Sequence, residues 1–429
     1  MNNAERIQAR IQRDKQRKLA RRMERNKEYD NFDRVLTMQH YMEALKKCRR
    51  GVDWKGSVQQ YSHNCITTIK DTIVMLQKGK LPKLANPNEI TLYERGKLRV
   101  ITPIIIDDRM TQRVLCDYSL APMVQGSLIY DNGASMQGKG VTFARDRMDK
   151  QLRSAIRKWG SDFYVLAFDF KNFFGSIPHQ VCLQELERIY TDKRIIDLVM
   201  GIIKSYQVIP ASKIKDERLR QKYMDGVEKN RAVGICLGSQ ISQIMALTVP
   251  NKLDHYVKDV RSVKYYARYM DDGVLFSDSK EYLMDIYRGM QVIAKQLGLH
   301  FNQKKTRIVK ITKGFTFLKI KYRVVCGKVI KTLTRSGTVR MRRKLKKFRG
   351  LVDRGRIMMD DVFASMQSWL SHTKYARSYR TKKNMVNLYN NLFDGYRLTK
   401  KFSHTKGGRQ YAVLQADRRN QYRWCWDFA

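Results

Sequence analysis

Apolar positions keep helical spacing over the first eighty residues. Val35, Leu36, Met42 and Leu45, then Ile66, Ile69, Ile73 and Leu76, recur at three- and four-residue intervals and predict helices across 31–80. Lys78-Gly79-Lys80-Leu81-Pro82 stops the last of them. Residues 4–30 lack that apolar face and hold ten basic and five acidic side chains without Gly or Pro. They predict either a highly charged helix or an arm that orders on a partner. The period changes near residue 90. Ile90-Thr91-Leu92-Tyr93 and Leu98-Arg99-Val100-Ile101 read as two strands around Glu94-Arg95-Gly96-Lys97. Helical spacing returns over 107–125, a loop with four glycines fills 126–140, and a helix runs from 142 to 158 before Gly160.

Residues 163–170 form an apolar strand ending at Asp169. Helices cover 178–206, and the polar stretch 208–232 reads as an exposed insertion. Gly234 to Val249 starts glycine-rich and becomes an apolar helix. Residues 263–278 read as apolar run, polar tip, apolar run, the pattern of a β-hairpin. An amphipathic helix over 280–298 and short strands over 307–332 follow. From Thr338 to Ile357 nine Lys or Arg face one acid, and Met341, Leu345, Phe348 and Leu351 give that stretch one apolar seam with cationic flanks. The remainder is mainly helical and ends in an aromatic tail around Tyr422, Trp424 and Trp426.

Composition then narrows the class. Of 429 residues 43% are hydrophobic, as in a globular protein. Lys and Arg number 85 against 40 Asp and Glu, a formal charge of +45. Such a surplus repels itself unless a polyanion is present, and nucleic acid is the natural partner. The cysteines at 48, 65, 116, 182, 236, 326 and 425 form no CxxC or Cys/His cluster, which argues against a zinc site. Their odd number and wide spacing fit a reduced, cytoplasmic setting. Neither a signal peptide nor a run of eighteen apolar residues is visible, so no membrane partner is expected.

The chemistry concentrates at the tip of the 263–278 hairpin. Tyr269-Met270-Asp271-Asp272 places two adjacent carboxylates there, and Asp169 ends a strand about a hundred residues upstream. Alone, Asp-Asp marks a solvated turn. Three carboxylates on strands of one sheet can instead hold two Mg²⁺ ions for phosphoryl or nucleotidyl transfer. Without a cation, like charges so close would be costly. Glycines in Gly234-Ile235-Cys236-Leu237-Gly238-Ser239-Gln240 let backbone approach a base or nucleotide, while Ser239 and Ser242 can bond to it or cap the next helix.

In order, these segments resemble a bacterial reverse transcriptase, an RNA-directed DNA polymerase, over about residues 60–380. The Tyr269–Asp272 element is similar to that family's best-known signature, and Phe168-Asp169-Phe170-Lys171-Asn172-Phe173-Phe174-Gly175-Ser176-Ile177-Pro178-His179 to its first palm motif. The resemblance implies an α+β, right-hand polymerase fold with fingers, a palm of antiparallel sheet and helices, and a helical thumb. Its boundaries would be a basic N-terminal helical extension at 1–60, fingers at 61–160, palm at 161–335, basic thumb at 336–395 and tail at 396–429. Asp169, Asp271 and Asp272, with the Phe170 carbonyl, would hold two Mg²⁺, Mn²⁺ substituting. Lys305 would face the leaving pyrophosphate, though a solvated lysine explains it too. Lys97 and Arg99, helped by Arg95 or Arg113, would close over the triphosphate. Phe174 would exclude a 2′-hydroxyl and so select deoxynucleotides, leaving Phe173 to the core. Gly238, Ser239 and Gln240 would line the nucleotide.

Gly314-Phe315-Thr316-Phe317-Leu318 resembles the primer grip, although core packing alone explains its aromatics. Arg340, Arg342, Arg343, Lys344, Lys346, Lys347 and Arg349 would grip duplex backbone, and Trp369 would anchor the thumb core. Leu237 stands where many relatives carry Gln, a departure shared with domesticated enzymes that diversify genes or defend against phage. Partners would then be a template RNA, a cognate structured non-coding RNA, a DNA primer or product and an accessory protein. The alternatives are an RNA-binding scaffold with a vestigial site, a group II intron-type polymerase, or an RNA-directed RNA polymerase.

Overall fold

A computed structural model describes residues 3–81, 90–94, 97–101, 103–205, 217, 221, 232–396, 398–404 and 410–416, in parts of the first helix and of the strands at 90–101 and 399–416 by backbone alone. Most of the insertion at 208–232, Arg95 and the tail aromatics lie outside the described residues.

The charged N-terminal stretch is one helix, Asn3–Tyr29. Its end is fastened by carboxylates. Asp30 accepts from Thr191 N at 2.7 Å, Thr191 Oγ1 at 2.7 Å and Asp192 N at 3.0 Å, and Asp192 accepts from Phe32 N at 2.9 Å. The 31–80 region breaks into Phe32–Val35, Met38–Cys48, Gly56–His63 and Cys65–Gln77. Gly79, at φ +70°, ends the last one as expected.

Strands β1 (Ile90–Glu94) and β2 (Lys97–Ile101) pair antiparallel with Glu94 opposite Lys97, so the expected hairpin forms. Helix Ile106–Leu115 runs through a π-helical turn at Cys116–Leu120 into Ala121–Gln125. Helix Val141–Trp159 then leads to β3 (Tyr164–Asp169), which is buried along almost its whole length. β4 (Tyr266–Tyr269) and β5 (Asp272–Ser277) form the double-Asp hairpin, with Tyr269 opposite Asp272. With β6 (Arg307–Lys310) they make a sheet of order β4-β5-β3-β6. The central place of β3 explains its unbroken apolar run, since both faces are covered.

Chain contacts divide the molecule into two compact units, Met1–Gln151 with Phe168–Ile308, and Leu152–Ala167 with Val309–Ala429. In the second unit β7 (Phe315–Phe317), β8 (Ile320–Val325) and β9 (Lys328–Leu333) form an antiparallel sheet. Phe315 and Phe317 are buried, and Phe315 stacks on Tyr322 at 5.4 Å, so core packing does account for these aromatics. The basic segment is helix Arg335–Asp353, packed through Met341 and Leu345 against helices Met359–Thr373 and Tyr379–Leu392. Trp369 packs against the same core, which fits the anchor role. Beyond it β10 (Leu398–His404) and β11 (Gln410–Ala416) pair as a hairpin that the tail reading missed. The whole is a mixed α+β fold of helices with small antiparallel sheets.

Candidate active site

Asp169 ends β3 at 5% exposure, above a floor of aromatic rings. Phe170 stacks on Phe173 at 5.3 Å and on Phe301 at 4.9 Å, while Phe168 meets Phe301 edge-on at 5.4 Å. Such pairs add about 0.5–1.5 kcal/mol each beyond area burial and fix ring positions. Gly273 allows the approach from the other side, because a Cβ there would lie inside the Phe168 ring.

Backbone bonds then bring the carboxylate segments together. Phe170 N donates to Asp271 O at 3.3 Å, and Lys171 N donates to His300 O at 2.8 Å. Asn302 N donates to Asp169 O at 2.7 Å and its Nδ2 to Asp169 Oδ2 at 3.3 Å. Lys305 Nζ reaches the same oxygen at 2.6 Å. Asp271 sits in the hairpin turn and Asp272 opens β5.

The electrostatics follow from that crowding. Burial first, then the charges of Asp271 and Asp169, pushes the Asp272 carboxyl up to about 7, with Lys305 pulling the other way. Burial would lower the Lys305 ammonium. The hydrogen bond to Asp169 and the charges of Asp169, Asp272 and Asp271 outweigh it, and Lys305 is raised above its ordinary value. The site is therefore short of positive charge even with Lys305 present. Its donors are all hard oxygens, the kind that hold Mg²⁺. Among the described residues no group of three or more His, Cys, Asp or Glu side chains is already drawn into metal-holding geometry. Mg²⁺ is usually held by one or two carboxylates, water and substrate phosphates rather than by a protein cage, so the donor set fits it in this open form.

A second segment lies against the first motif. Ile235 N donates to Phe174 O at 2.9 Å, Gly234 N to Ile177 O at 2.8 Å, and His179 N to Ala232 O at 2.8 Å. His179 is buried, and its Nε2 bonds Gly234 O at 2.8 Å. The adjacent phenylalanines separate: Phe173 is buried, while Phe174 is half-buried and edge-on to it at 5.6 Å. Gly238 is exposed at φ +111°. Ser239 is the N-cap of helix Gln240–Thr248, accepting from Ser242 N, and donates to Gln112 Oε1 at 2.8 Å. Of the two roles open to Ser239 the structure displays the cap. Gln240 Oε1 is buried with no hydrogen-bond partner among the described residues.

Other expected residues lie on other elements of the chain. Lys97 and Arg99 lie on β2, their side chains outside the described residues. Arg113 is engaged with Asp117 at 2.8 Å, an acid that Lys47 shares. Arg340, Arg342, Arg343, Lys344, Lys346, Lys347 and Arg349 are all on helix Arg335–Asp353 and all exposed. Arg349 also pairs with Asp353 at 3.0 Å and donates to Leu392 O at 2.7 Å, which makes it part of the helix packing.

Sequence reading missed three supports. Asn302 bonds to Asp169 through both its backbone N and its Nδ2. Gln112 holds the cap of the next helix. Arg268, beside the double-Asp turn, is wholly buried. The available signal was a lone charge inside an otherwise apolar strand.

Among the described residues no helix is long and apolar enough to cross a membrane. Among the described residues Cys48, Cys65, Cys116, Cys182, Cys236 and Cys326 form no disulfide.

No curated protein matches the chain. The weakly similar solved structures include two telomerases. One is an apo telomerase from Candida tropicalis truncated from its C-terminal domain, with 14% identity, 58% of this chain and 56% of that one covered, and TM-score 0.41. The other is a telomerase from Candida albicans with a fragment of telomeric RNA, with 10% identity, 71% and 61% covered, and TM-score 0.37. The chain thus spans less than two thirds of either structure. The family itself is matched directly over residues 82–322, a stretch that runs from the β1–β2 hairpin through Asp169 and the double-Asp turn to Lys305. That stretch is more than half of the protein, and the chain belongs to the reverse transcriptase (RNA-dependent DNA polymerase) family.

Proposed function

We propose that this protein synthesises DNA on an RNA template by two-metal nucleotidyl transfer. The observation that carries this reading is the bond from Phe170 N to Asp271 O, which holds the end of β3 beside the double-Asp turn. Fingers at 61–160, palm at 161–335 and thumb at 336–395 are the assignments that go with it. Asp169, Asp271, Asp272 and the Phe170 carbonyl are the candidate ligands. Mg²⁺ bound there would lower the pKa of the primer 3′-hydroxyl and neutralise charge on the pyrophosphate.

The remaining work falls to side chains. Lys305, whose Nζ lies 2.6 Å from Asp169 Oδ2, is placed to give a proton to the leaving pyrophosphate. Lys97 and Arg99 fit the triphosphate. Half-buried Phe174 fits a wall against the 2′-hydroxyl. The exposed cations of helix Arg335–Asp353 fit phosphates of a primer–template duplex. Leu237 supports a host-adapted, bacterial type of enzyme that copies a dedicated structured RNA in phage defence or gene diversification.

The test is extension of a primed RNA with deoxynucleotides and Mg²⁺, and sequencing of any RNA that copurifies with the protein. The reading expects full-length DNA, and much less product with ribonucleotides. Folded protein that binds RNA and extends nothing would contradict it and leave the scaffold reading.

A further inference from the structure

The two-residue tip of the double-Asp turn puts Met270 at φ +54°, the positive φ that two-residue hairpin turns take at their first central position. A buried charge pair one residue before the turn bonds into that tip. Arg268 and Asp254 are both 0% exposed. Arg268 Nε donates to Asp254 Oδ1 at 2.7 Å, and Nη2 to Oδ2 at 2.6 Å. Tyr266 Oη donates to Asp254 Oδ1 at 2.6 Å. The two terminal guanidinium nitrogens then reach past the carboxylate. Nη2 donates to Leu247 O at 3.0 Å, near the end of helix Gln240–Thr248, and Nη1 donates to Met270 O at 2.9 Å, inside the turn. Backbone bonds hold the same residue from another side: Arg268 N to Asp131 O at 3.2 Å, and Gly133 N to Arg268 O at 2.9 Å.

We propose that Arg268 is a positioning residue for nucleotidyl transfer: its buried guanidinium, fixed by Asp254, fastens the Met270 carbonyl and thereby sets where Asp271 stands. This rests on the hairpin being the active site. The chemistry needs arginine. A planar fork with five donors can serve a carboxylate and two carbonyls at once, and it cannot lose its charge. One ammonium cannot span the three partners. A buried ion pair is also a poor source of stability compared with apolar side chains of the same volume. Geometry is what this pair adds. It joins the helix carrying Asp254, the end of the helix that Ser239 caps, and the turn, so that the nucleotide-facing segment and the carboxylates are set from one point.

Two variants test it, both in the full chain. Arg268→Lys keeps a buried cation for Asp254 but loses the reach to Met270 O. The double variant Arg268→Met with Asp254→Leu replaces the pair by apolar volume and removes the fastening without leaving a lone buried charge. Single-nucleotide incorporation on a primed RNA is measured at saturating deoxynucleotide across a Mg²⁺ titration, beside duplex binding and the thermal midpoint. A displacement near 1 Å costs about 10²-fold in rate. Both variants should therefore lose about 10- to 100-fold in kcat, with half-saturating Mg²⁺ shifted upward and duplex affinity kept. A merely structural role would lower the amount of active protein without moving the Mg²⁺ midpoint. Tyr266→Phe, which keeps the charge pair, should lose far less.

A folded variant that incorporates at the wild-type rate and the wild-type Mg²⁺ midpoint overturns the proposal. If the double variant does not fold, Arg268→Lys decides. If wild type extends primers and Asp271→Ala does not, a null result at Arg268 sinks the positioning role alone. If wild type does not extend at all, the active-site reading fails first.

Discussion

Arg268 and Arg343 are the same side chain put to opposite uses. Arg268 is sealed against Asp254, with backbone carbonyls taking its remaining donors. Arg343 stands exposed on helix Arg335–Asp353 in a row of cations. The first is confined to one geometry. The second is free of such confinement, as its proposed phosphate contact requires. A charge of +45 speaks only for residues of the second kind. Residues of the first kind are few, invisible in composition, and decide where the carboxylates lie.

Removing each charge should separate the two roles most sharply in stability. Arg268→Met alone leaves Asp254 buried and unpaired, which should cost about 3–5 kcal/mol. Arg343→Ala should stay within about 0.5 kcal/mol, as surface changes do. Denaturant unfolding of both would check it. Equal, small losses would mean that the buried pair tolerates an unpaired acid and that the contrast is false.

Binding should reverse the ranking. Neutralising Arg342, Arg343, Lys346 and Lys347 together should weaken duplex binding. The slope of log K against log salt should become shallower by up to about 0.9 for each phosphate that is no longer neutralised. Arg268→Lys should leave that slope unchanged. Titrations at several salt concentrations decide, and an unaltered slope in the four-fold variant would move the duplex to another face.

The two phenylalanines of the first motif repeat the contrast on a smaller scale. Phe173 is core, stacked on Phe170, so Phe173→Ala should cost about 3–5 kcal/mol of stability. Phe174 is half-buried, and Phe174→Ala should instead raise ribonucleotide use relative to deoxynucleotide use, read as a ratio of kcat/KM. An unchanged ratio would place the sugar wall elsewhere.

His179 gives the smallest expected effect. Burial lowers its pKa most, the bond to Gly234 O opposes that, and Lys204 lowers it further, for a net shift downward. The unfolded chain therefore binds the proton more readily than the folded one. Stability contributed by His179 is present above its unfolded value of about 6.5 and is lost as pH falls below it. The thermal midpoint should drop modestly from pH 7 to pH 5, and less so in His179→Gln. A slope that is the same in both would remove His179 from the acid response.

What could be read in advance follows the same division. The two hairpins at 90–101 and 263–278, the helix ending at Gly160 and the amphipathic basic helix were legible because periodicity and turn residues report local structure. Asp169, Asp271 and Asp272 were legible as motif letters, and the fold does bring their segments together. Asp254 and Arg268 were not, since their pairing is tertiary and each reads singly as an ordinary charged residue. The β10–β11 hairpin was missed because Lys400, Lys401 and His404 break the apolar alternation that marks a strand.

The most direct measurement is Asp271→Ala, assayed for RNA-primed nucleotide incorporation and for RNA binding on one preparation. The carboxylates and the cations proposed to meet phosphate lie on different segments, so incorporation should fall to background at every Mg²⁺ concentration while RNA binding stays near wild type. Incorporation near the wild-type rate would show that the double-Asp turn is not the catalytic centre.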